Sequence, residues 1–343
     1  MKKVVLSGYF GFDNFGDEKV LSIIVDTLKS QGAYITVLSR NPKKTSALYG
    51  VESVGSFNPI AVLQKIMFCD VLVSGGGSLL QDVTSVKSLF YYLGIIFLGL
   101  LFQKKVMLYS QGIGPIRTPL GRLFTKFLLK RVNKIAVRDQ RSFNELSKAG
   151  IEAVLTADAL WGLEFPEREK KNQVVIQLRS WSGMNKEKIQ NMADVIAEDF
   201  RGYNIKILPL QISSDMNVCR KMQQELKLRN IDAELFINLS CDDIIRVISE
   251  SRFVIAMRYH ACLVAIKSGA RVLAVSYDIK VENLASQANI PLIPVEIINR
   301  GFSNAVENMK AYSQQGSSFF CLKEVTKSRQ NNELLCKILS DDK

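Results

Sequence analysis

Short apolar runs of strand length alternate with amphipathic segments of helical length along the whole chain of 343 residues. Strand-like runs at 4–7, 71–74 and 253–257 are each followed by a segment with helical spacing of apolar residues. This alternation is typical of parallel sheets with helices on both faces. Because the chain is too long for one ordinary core, we expect two such domains. The polar, charged stretch at 164–172 is the best candidate for a linker.

The linker divides the chain into two Rossmann-like parallel-sheet domains of similar size. We place the N-terminal domain at residues 1–163 and the C-terminal domain at residues 173–315. The tail at 316–343 is predicted to be helical. Two such domains facing a cleft, each presenting the carboxyl ends of its strands, resemble the GT-B architecture of many glycosyltransferases.

The charge balance suggests an anionic partner. Lysine and arginine total 45 against 33 acidic residues, which gives a net charge of +12. Nucleic acid is the weakest option, because the chain has no zinc-finger spacing, RNP-like motif or basic helix. A phosphorylated substrate or an acidic membrane face fits better. The six cysteines form no CxxC pair and there is one histidine, so we expect no metal site and buried, reduced thiols of a cytoplasmic protein.

The segment 89–102 is the one membrane candidate. Its 14 uncharged residues fall short of the ~20 needed to span a bilayer. We therefore expect a buried helix, with reversible contact at the inner face of the plasma membrane as a minor alternative. The Met1-Lys2-Lys3 start resembles a signal sequence only briefly, because Gly8 and Gly11 interrupt the apolar run.

His260 is the only histidine, and it lies just after the strand-like run that ends at Met257. A helical pattern begins near His260 and ends at Gly269, a common residue after a helix. Arg258 and His260 should therefore lie at the carboxyl end of a parallel strand, where open α/β sheets bind ligands. An imidazole there is suited to moving protons. The alternative is a histidine that only caps or packs the turn.

The loop at 8–18 combines glycines with Asp13, Asn14 and Asp17. These side chains supply hydrogen-bond acceptors suited to sugar hydroxyls. The loop lacks the GxGxxG spacing, and its acidic residues would repel a pyrophosphate, so a dinucleotide fingerprint is a poor interpretation. For Asp17 alone, a helix N-cap is equally plausible.

Two further loops follow strands. The first, at 74–82, contains Gly76, Gly77 and Ser78, whose backbone amides could form a nest for an anion or hydroxyl; close packing is the alternative. The second places Arg138 directly after a strand, with a salt bridge to Asp139 or Asp158 as its competing role.

Lys280 follows the strand after the His260 helix. Arg138, Arg258 and Lys280 would together suit a small polyanion that bears both phosphate and carboxylate.

Eight stretches, in this order, resemble motifs of the polysaccharide pyruvyl transferase family, specifically its bacterial branch that modifies cell-wall polysaccharide precursors. They are GYFGFDNFGDE (8–18), SGGGSLLQD (74–82), QGIGP (111–115), VRD (137–139), TAD (156–158), LRSW (178–181), MRYH (257–260) and SYDIK (276–280). The family often has leucine where Tyr259 stands. The acceptor-facing loops and the tail beyond residue 300 match no family pattern.

The resemblance implies transfer of the enolpyruvyl unit of phosphoenolpyruvate, a co-substrate, to a sugar, typically as a cyclic ketal with release of phosphate. It implies that Arg138, Arg258 and Lys280 hold the donor and that His260 is the acid/base. Asp13 would lie on the acceptor side, in the N-terminal domain, and the donor would bind in the C-terminal domain. No cofactor is implied.

Two other functions remain open from the sequence. A nucleotide-sugar glycosyltransferase of the same shape would share the cleft and its basic residues. A non-catalytic protein that binds anions or sugars is the other, although intact Arg258, His260 and Lys280 argue against it. The acceptor sugar, its linkage to lipid, the ketal position and the oligomeric state are left open.

Overall fold

The computed structural model describes residues 1–312 and 315–341. The chain forms two compact units, of which the first contains Met1–Leu163 and Glu324–Lys343 and the second contains Glu164–Lys323. Each unit is built on one parallel sheet flanked by helices, as the strand–helix alternation predicts. The second unit therefore begins at the first residue of the candidate linker.

The first unit contains a seven-stranded sheet in the order β3-β2-β1-β4-β5-β6-β7. Its strands are β1 (Lys3–Ser7), β2 (Tyr34–Ser39), β3 (Glu52–Gly55), β4 (Val71–Gly75), β5 (Lys105–Gln111), β6 (Lys134–Val137) and β7 (Val154–Leu155). Its helices are α1 (Phe15–Ser30), α2 (Pro42–Tyr49), α3 (Pro59–Met67), α4 (Val86–Leu101), α5 (Pro119–Leu129) and α6 (Gln140–Lys148). The central strands are apolar and buried on both faces, as parallel strands under helices must be.

The second unit contains a six-stranded parallel sheet in the order β10-β9-β8-β11-β12-β13. Its strands are β8 (Lys171–Gln177), β9 (Asn204–Ile207), β10 (Ala233–Leu235), β11 (Ser251–Ala256), β12 (Arg271–Ser276) and β13 (Leu292–Pro294). Its helices are α7 (Lys186–Asp199), α8 (Ile212–Lys227), α9 (Cys241–Ser249), α10 (Tyr259–Lys267), α11 (Ile279–Ala288) and α12 (Ile298–Ala311). One apolar core joins its strands to α7, α8 and α12.

The start of α1 differs from the prediction. An N-cap role for Asp17, one of its two plausible interpretations, would start the helix at Glu18, but the helix begins at Phe15 and Asn14 is the N-cap. The side chain of Asn14 accepts a hydrogen bond from the backbone N–H of Gly16 at 3.2 Å. Asp17 instead lies in the first turn. There its negative carboxylate interacts favourably with the positive end of the helix dipole.

The helix that contains His260 follows the prediction closely. β11 ends at Ala256, Arg258 is the N-cap of α10, and the helix ends at Lys267. Gly269 then adopts a left-handed backbone conformation with φ of 71°, which explains the glycine there. His260 is therefore in the first turn of a helix at the carboxyl edge of the second sheet.

A last helix, α13, spans Gln315–Ser340. Its residues from Glu324 onwards belong to the first unit. There Leu335 and Ile338 are buried, and the side chain of Asn331 donates to the carbonyl of Ala157 at 2.8 Å. The tail therefore completes the core of the first unit.

The segment 89–102 lies mostly in α4, whose inner face buries Leu89, Leu93 and Ile96. Within residues 1–312 and 315–341, no helix combines the length and the apolar character that crossing a bilayer requires.

Candidate functional site

Arg258 is held by a buried carboxylate in the second unit. Its Nε donates to Oδ2 of Asp215 at 2.7 Å and its Nη2 donates to Oδ1 at 2.5 Å. Nη2 also lies 2.7 Å from Oγ of Ser214 and 3.2 Å from Oε1 of Gln211. The backbone N–H of Arg258 donates to Oε1 of Gln177 at 2.8 Å. The guanidinium is therefore fixed in one orientation by the segment 211–215, while Gln177 at the end of β8 holds the backbone of Arg258.

Asp215 is the residue that sequence reasoning missed here. Its side chain is fully buried, and it accepts backbone hydrogen bonds from Leu210 at 3.1 Å and Gln211 at 3.0 Å. Such charge-assisted bonds and the bidentate arginine offset the cost of burying the charge. A signal was available in the sequence, because Gln211, Ser214 and Asp215 form a polar cluster directly after the apolar residues at 207–210.

The ion pair with Asp215 leaves Nη1 of Arg258 available to a ligand. In the portion of the chain that is described, no residue accepts a hydrogen bond from Nη1 of Arg258. Asp215 neutralises much of the charge of the guanidinium but fixes its plane. Arg258 can therefore present an oriented pair of N–H groups at the carboxyl edge of β11.

His260 and Lys280 lie on the same edge of the second sheet. His260 is in the first turn of α10, and Lys280 is in the first turn of α11. β11 and β12, which precede these helices, are neighbours in register from Phe253 to Ala256, and α10 packs against α11. The His260 ring packs edge-on against Tyr259, with 5.2 Å between ring centroids.

A second arginine reaches this edge from β8. The Nη1 of Arg179 donates to the hydroxyl of Tyr277 at 2.6 Å, and the Tyr277 ring packs against Trp181 at 4.9 Å between centroids. Burial raises the pKa of Tyr277, so its hydroxyl keeps its proton. Nε of Arg179 is buried without a hydrogen-bond partner among the residues that are described. Sequence reasoning missed Arg179 and Trp181, although both lie in the LRSW stretch.

Arg138 lies in the first unit and forms a buried ion pair. Its Nη1 is 2.7 Å from Oδ2 of Asp158, and the two side chains are 6% and 0% exposed. Its Nη2 donates to Oγ of Ser78 at 3.0 Å. Asp139 instead caps α6 through the backbone N–H of Ser142. Of the two salt bridges considered for Arg138, the structure therefore has the one to Asp158.

The glycine loop after β4 packs tightly against α1. A Cβ at Gly76 would lie 2.4 Å from Cγ1 of Val20, and one at Gly77 would lie 2.7 Å from Oδ1 of Asp17. The backbone N–H of Gly76 donates to the carbonyl of Tyr109 at 2.8 Å. Close packing thus accounts for both glycines, and the amide of Gly76 is already used within the sheet.

The first loop is organised by Glu18, another residue that sequence reasoning missed. The buried Glu18 carboxylate accepts from the backbone N–H of Gly11 at 2.7 Å and from the hydroxyl of Tyr49 at 3.2 Å. Burial raises its pKa to about 6, against the opposing effect of these hydrogen bonds. Asp13 is exposed and pairs with Lys44 at 2.7 Å, so its carboxylate can be reached from solvent.

The described residues contain no group of three or more His, Cys, Asp or Glu side chains that could hold a metal ion. None of the six cysteines, all of which are described, forms a disulfide. Cys69, Cys219 and Cys262 are buried, and the other three are partly exposed.

Solved structures with this fold are similar over nearly the whole chain. A putative UDP-N-acetylglucosamine 2-epimerase from Listeria monocytogenes has a TM-score of 0.68 at 10% identity, covering 100% of this chain and 98% of that chain. The UDP-GlcNAc 2-epimerase from Methanocaldococcus jannaschii has a TM-score of 0.69 at 11% identity, covering 98% and 100%. CalG4, the calicheamicin glycosyltransferase, has a TM-score of 0.63 at 12% identity, covering 99% and 98%. At these identities the likeness concerns the fold alone, and it confirms the predicted GT-B-like architecture.

A comparison with curated proteins gives no match. The model of the polysaccharide pyruvyl transferase family matches residues 14–279. The matched range includes Arg138, Arg258 and His260, and it begins one residue after Asp13 and ends one residue before Lys280. Because this match covers well over half of the chain and the resemblance seen in the motifs agrees with it, the chain belongs to the polysaccharide pyruvyl transferase family.

Proposed function

We propose that the protein transfers the pyruvyl group of phosphoenolpyruvate to a saccharide of a cell-wall or surface polysaccharide precursor, on the cytoplasmic side of the membrane. The product is a pyruvate ketal, and phosphate is released. The observation that carries the proposal is the family match over residues 14–279, which takes in both Arg258 and His260.

The donor is a small polyanion, and the edge of the second sheet offers fixed cations for it. Arg258 is oriented by Asp215 and keeps Nη1 for a ligand oxygen. Lys280, two residues into α11, supplies a second cation, and Arg179 a third. Arg138 of the first unit is a further candidate donor contact. Fixed cations stabilise a departing phosphate without reorganisation during the reaction.

His260 is the proposed proton carrier. It gives a proton to the methylene carbon of the donor, which makes C2 an oxocarbenium-like electrophile. A sugar hydroxyl adds to C2 and returns its proton to His260. A second hydroxyl then displaces the phosphate from C2, and its proton leaves with the phosphate. One C–H bond and two C–O bonds form, one double bond becomes single, and the bond from C2 to the phosphate oxygen breaks.

Asp13, Asn14, Asp17, Gly76, Gly77 and Ser78 remain the proposed acceptor side. Asp13 is the strongest of these because its carboxylate is exposed. Asn14 caps α1 and the two glycines pack against that helix, so they would act through the shape of the loop. Ser78 hydrogen-bonds Arg138, which gives it a positioning role.

Titration calorimetry tests the donor. Phosphoenolpyruvate should bind without added divalent metal, because side chains supply the positive charge, and the affinity should fall as salt rises. Arg179→Gln should weaken binding, whereas Arg252→Gln, at an exposed position on β11, should not. Binding of a UDP-sugar with none of phosphoenolpyruvate would replace the proposal with a nucleotide-sugar glycosyltransferase.

A further inference from the structure

One long segment of the first unit has basic residues and no acidic ones. Residues 83–138 contain no aspartate or glutamate. The lysines and arginines in that segment are Lys87, Lys104, Lys105, Arg117, Arg122, Lys126, Lys130, Arg131, Lys134 and Arg138. The segment includes both α4 and α5. Much of the net positive charge of the chain is therefore concentrated there.

The apolar stripe of α5 faces solvent. Leu120, Leu123, Phe124 and Phe127 are spaced as one face of a helix, and they are 47–63% exposed. The buried side of α5 includes residues smaller than those of the exposed stripe, such as Gly121. A helix that packs only within its own domain would turn the large apolar stripe inwards, so this stripe has another partner.

α4 extends the apolar surface. The rings of Phe90 on α4 and Phe124 on α5 meet at 6.1 Å between centroids. Val86, Phe97 and Leu101, at helical spacing from Phe90, are also exposed. We call the exposed apolar residues of these two helices the α4–α5 face; they are Val86, Phe90, Phe97, Leu101, Leu120, Leu123, Phe124 and Phe127.

Basic side chains border the α4–α5 face. Arg122 and Lys126 of α5 and its C-cap residue Lys130 are exposed along one line. The guanidinium of Arg131 lies 3.9 Å from the centre of the Phe127 ring. Aromatic and aliphatic residues beside lysine and arginine are typical of helices that lie in a membrane interface. Basic residues near such a surface strengthen binding to anionic lipid.

The N-terminal end of α5 is firmly anchored, so the face is preformed. Both oxygens of the buried Asp82 carboxylate accept backbone hydrogen bonds, from Arg117 and from Thr118, each at 2.7 Å. Although burial alone would raise it, these hydrogen bonds hold the pKa of Asp82 below its usual range. The carboxylate therefore stays ionised and keeps the helix start in place.

We propose that the α4–α5 face docks on an anionic lipid bilayer and lies in its interface without spanning it. Charge complementarity argues for lipid over a second copy of the chain, because two such faces would bring only positive charges together. The α4–α5 face belongs to the first unit and is independent of the donor chemistry at the second sheet. Docking would hold the enzyme where lipid-linked saccharides are found.

Sedimentation with phosphatidylcholine vesicles, with and without phosphatidylglycerol, tests the proposal. The protein should bind only the anionic vesicles, less so as salt rises. The triple variant Arg122→Gln, Lys126→Gln, Lys130→Gln should lower the partition coefficient by about fivefold for each basic residue removed. The double variant Leu123→Ser, Phe127→Ser should lower it by at least about tenfold, through lost apolar burial.

Matched variants on α8 of the second unit provide the controls. Arg220→Gln, Lys221→Gln, Lys227→Gln removes the same charge from exposed positions, and Leu228→Ser removes an exposed leucine. Both should bind vesicles nearly as the wild type does, and all variants should keep the wild-type melting temperature. Absence of binding to anionic vesicles at low salt, or equal binding by all variants, would overturn the proposal. So would a dimer in light scattering that Leu123→Ser, Phe127→Ser converts to monomer while vesicle binding stays unchanged.

Discussion

Two buried arginine–carboxylate pairs lie at strand ends, one in each unit. Arg138 pairs with Asp158 in the first, and Arg258 pairs with Asp215 in the second. Each pair fixes a guanidinium at the edge of a sheet where α/β proteins bind ligands. Removing one partner of a buried pair costs far more than the pair itself contributes, since a buried charge is left unpaired. Both arginines can therefore serve stability as well as ligand binding.

Arg138→Ala should lower the free energy of unfolding by roughly 3–5 kcal/mol, because it leaves Asp158 buried and unpaired. Urea denaturation measures this. Lys44→Ala, which breaks the exposed pair with Asp13, is the control and should change stability by at most about 1 kcal/mol. An unchanged midpoint for Arg138→Ala would contradict the structural role. If the folded variant also has a raised KM for the donor, Arg138 contacts the donor in addition to its structural role.

His260→Gln should reduce turnover by roughly 10²–10⁴, the usual loss for a general acid–base group. Donor affinity should change much less, since Arg258 keeps its partners Asp215 and Ser214. Steady-state kinetics and calorimetry on the same preparation separate the two effects. If the glutamine variant retains wild-type turnover, His260 is only a packing residue and the proton carrier lies elsewhere.

Glu18 should make stability depend on pH. Its pKa is about 6 in the folded protein and lower when unfolded, so the folded state binds more protons between these values. Stability should therefore fall as pH rises through this range, by about 2 kcal/mol for a shift of this size. Glu18→Gln keeps an acceptor for Gly11 and should remove this dependence in unfolding curves measured from pH 4.5 to 7. The same slope in both proteins would show that another group is responsible.

At the residue scale, the sequence predicted where Arg258, His260 and Lys280 lie, because one strand–turn–helix pattern fixes each position. It could not predict Asp215, which is 43 residues from Arg258 in the chain. It also could not predict that Glu18, not Asp17, organises the first loop, since that depends on the distant Tyr49. Local patterns indicate which side chains reach an edge, whereas their partners depend on tertiary packing.

At the element scale, long periodic segments were predicted and short ones were missed. β4, β11 and α10 were recognised because their apolar spacing is clear. The elements between residues 40 and 70 were not predicted, because β3 has four residues and α2 buries only Thr45. Helix α6 was also missed, because its sequence is mostly polar. Such elements are stabilised by the sheet and by their caps more than by their own pattern.

The tail helix α13 should contribute to the stability of the first unit. Asn331 accepts from the hydroxyl of Thr156 and donates to the carbonyl of Ala157, each at 2.8 Å. Asn331→Ala removes these two buried hydrogen bonds, although the hydroxyl of Thr156 keeps the carbonyl of Val137 and the carbonyl of Ala157 keeps the hydroxyl of Ser110. The loss should cost about 1–3 kcal/mol in the free energy of unfolding, at about 0.5–1.5 kcal/mol for each bond. Arg329→Ala, at an exposed position of the same helix, is the control. Equal midpoints for the two variants would contradict the role of Asn331.

At the scale of the whole molecule, the fold leaves function undecided. Epimerases and a glycosyltransferase share this architecture at 10–12% identity, so the chemistry must come from the residues at the strand ends. The net charge of +12 is divided between two uses in our account. We propose that cations at the second sheet bind the donor and that those on the α4–α5 face bind lipid.

The most direct test follows phosphoenolpyruvate labelled with carbon-13 in its methylene group, incubated in D₂O with free and lipid-linked saccharides. With an accepted saccharide, we predict a methyl group carrying one deuterium on a ketal carbon, formed in equal amount to the released phosphate. That result requires protonation of the methylene carbon and attachment of both hydroxyls. Phosphate release that leaves the methylene group intact on the sugar, or transfer that occurs only from a nucleotide sugar, would contradict the account.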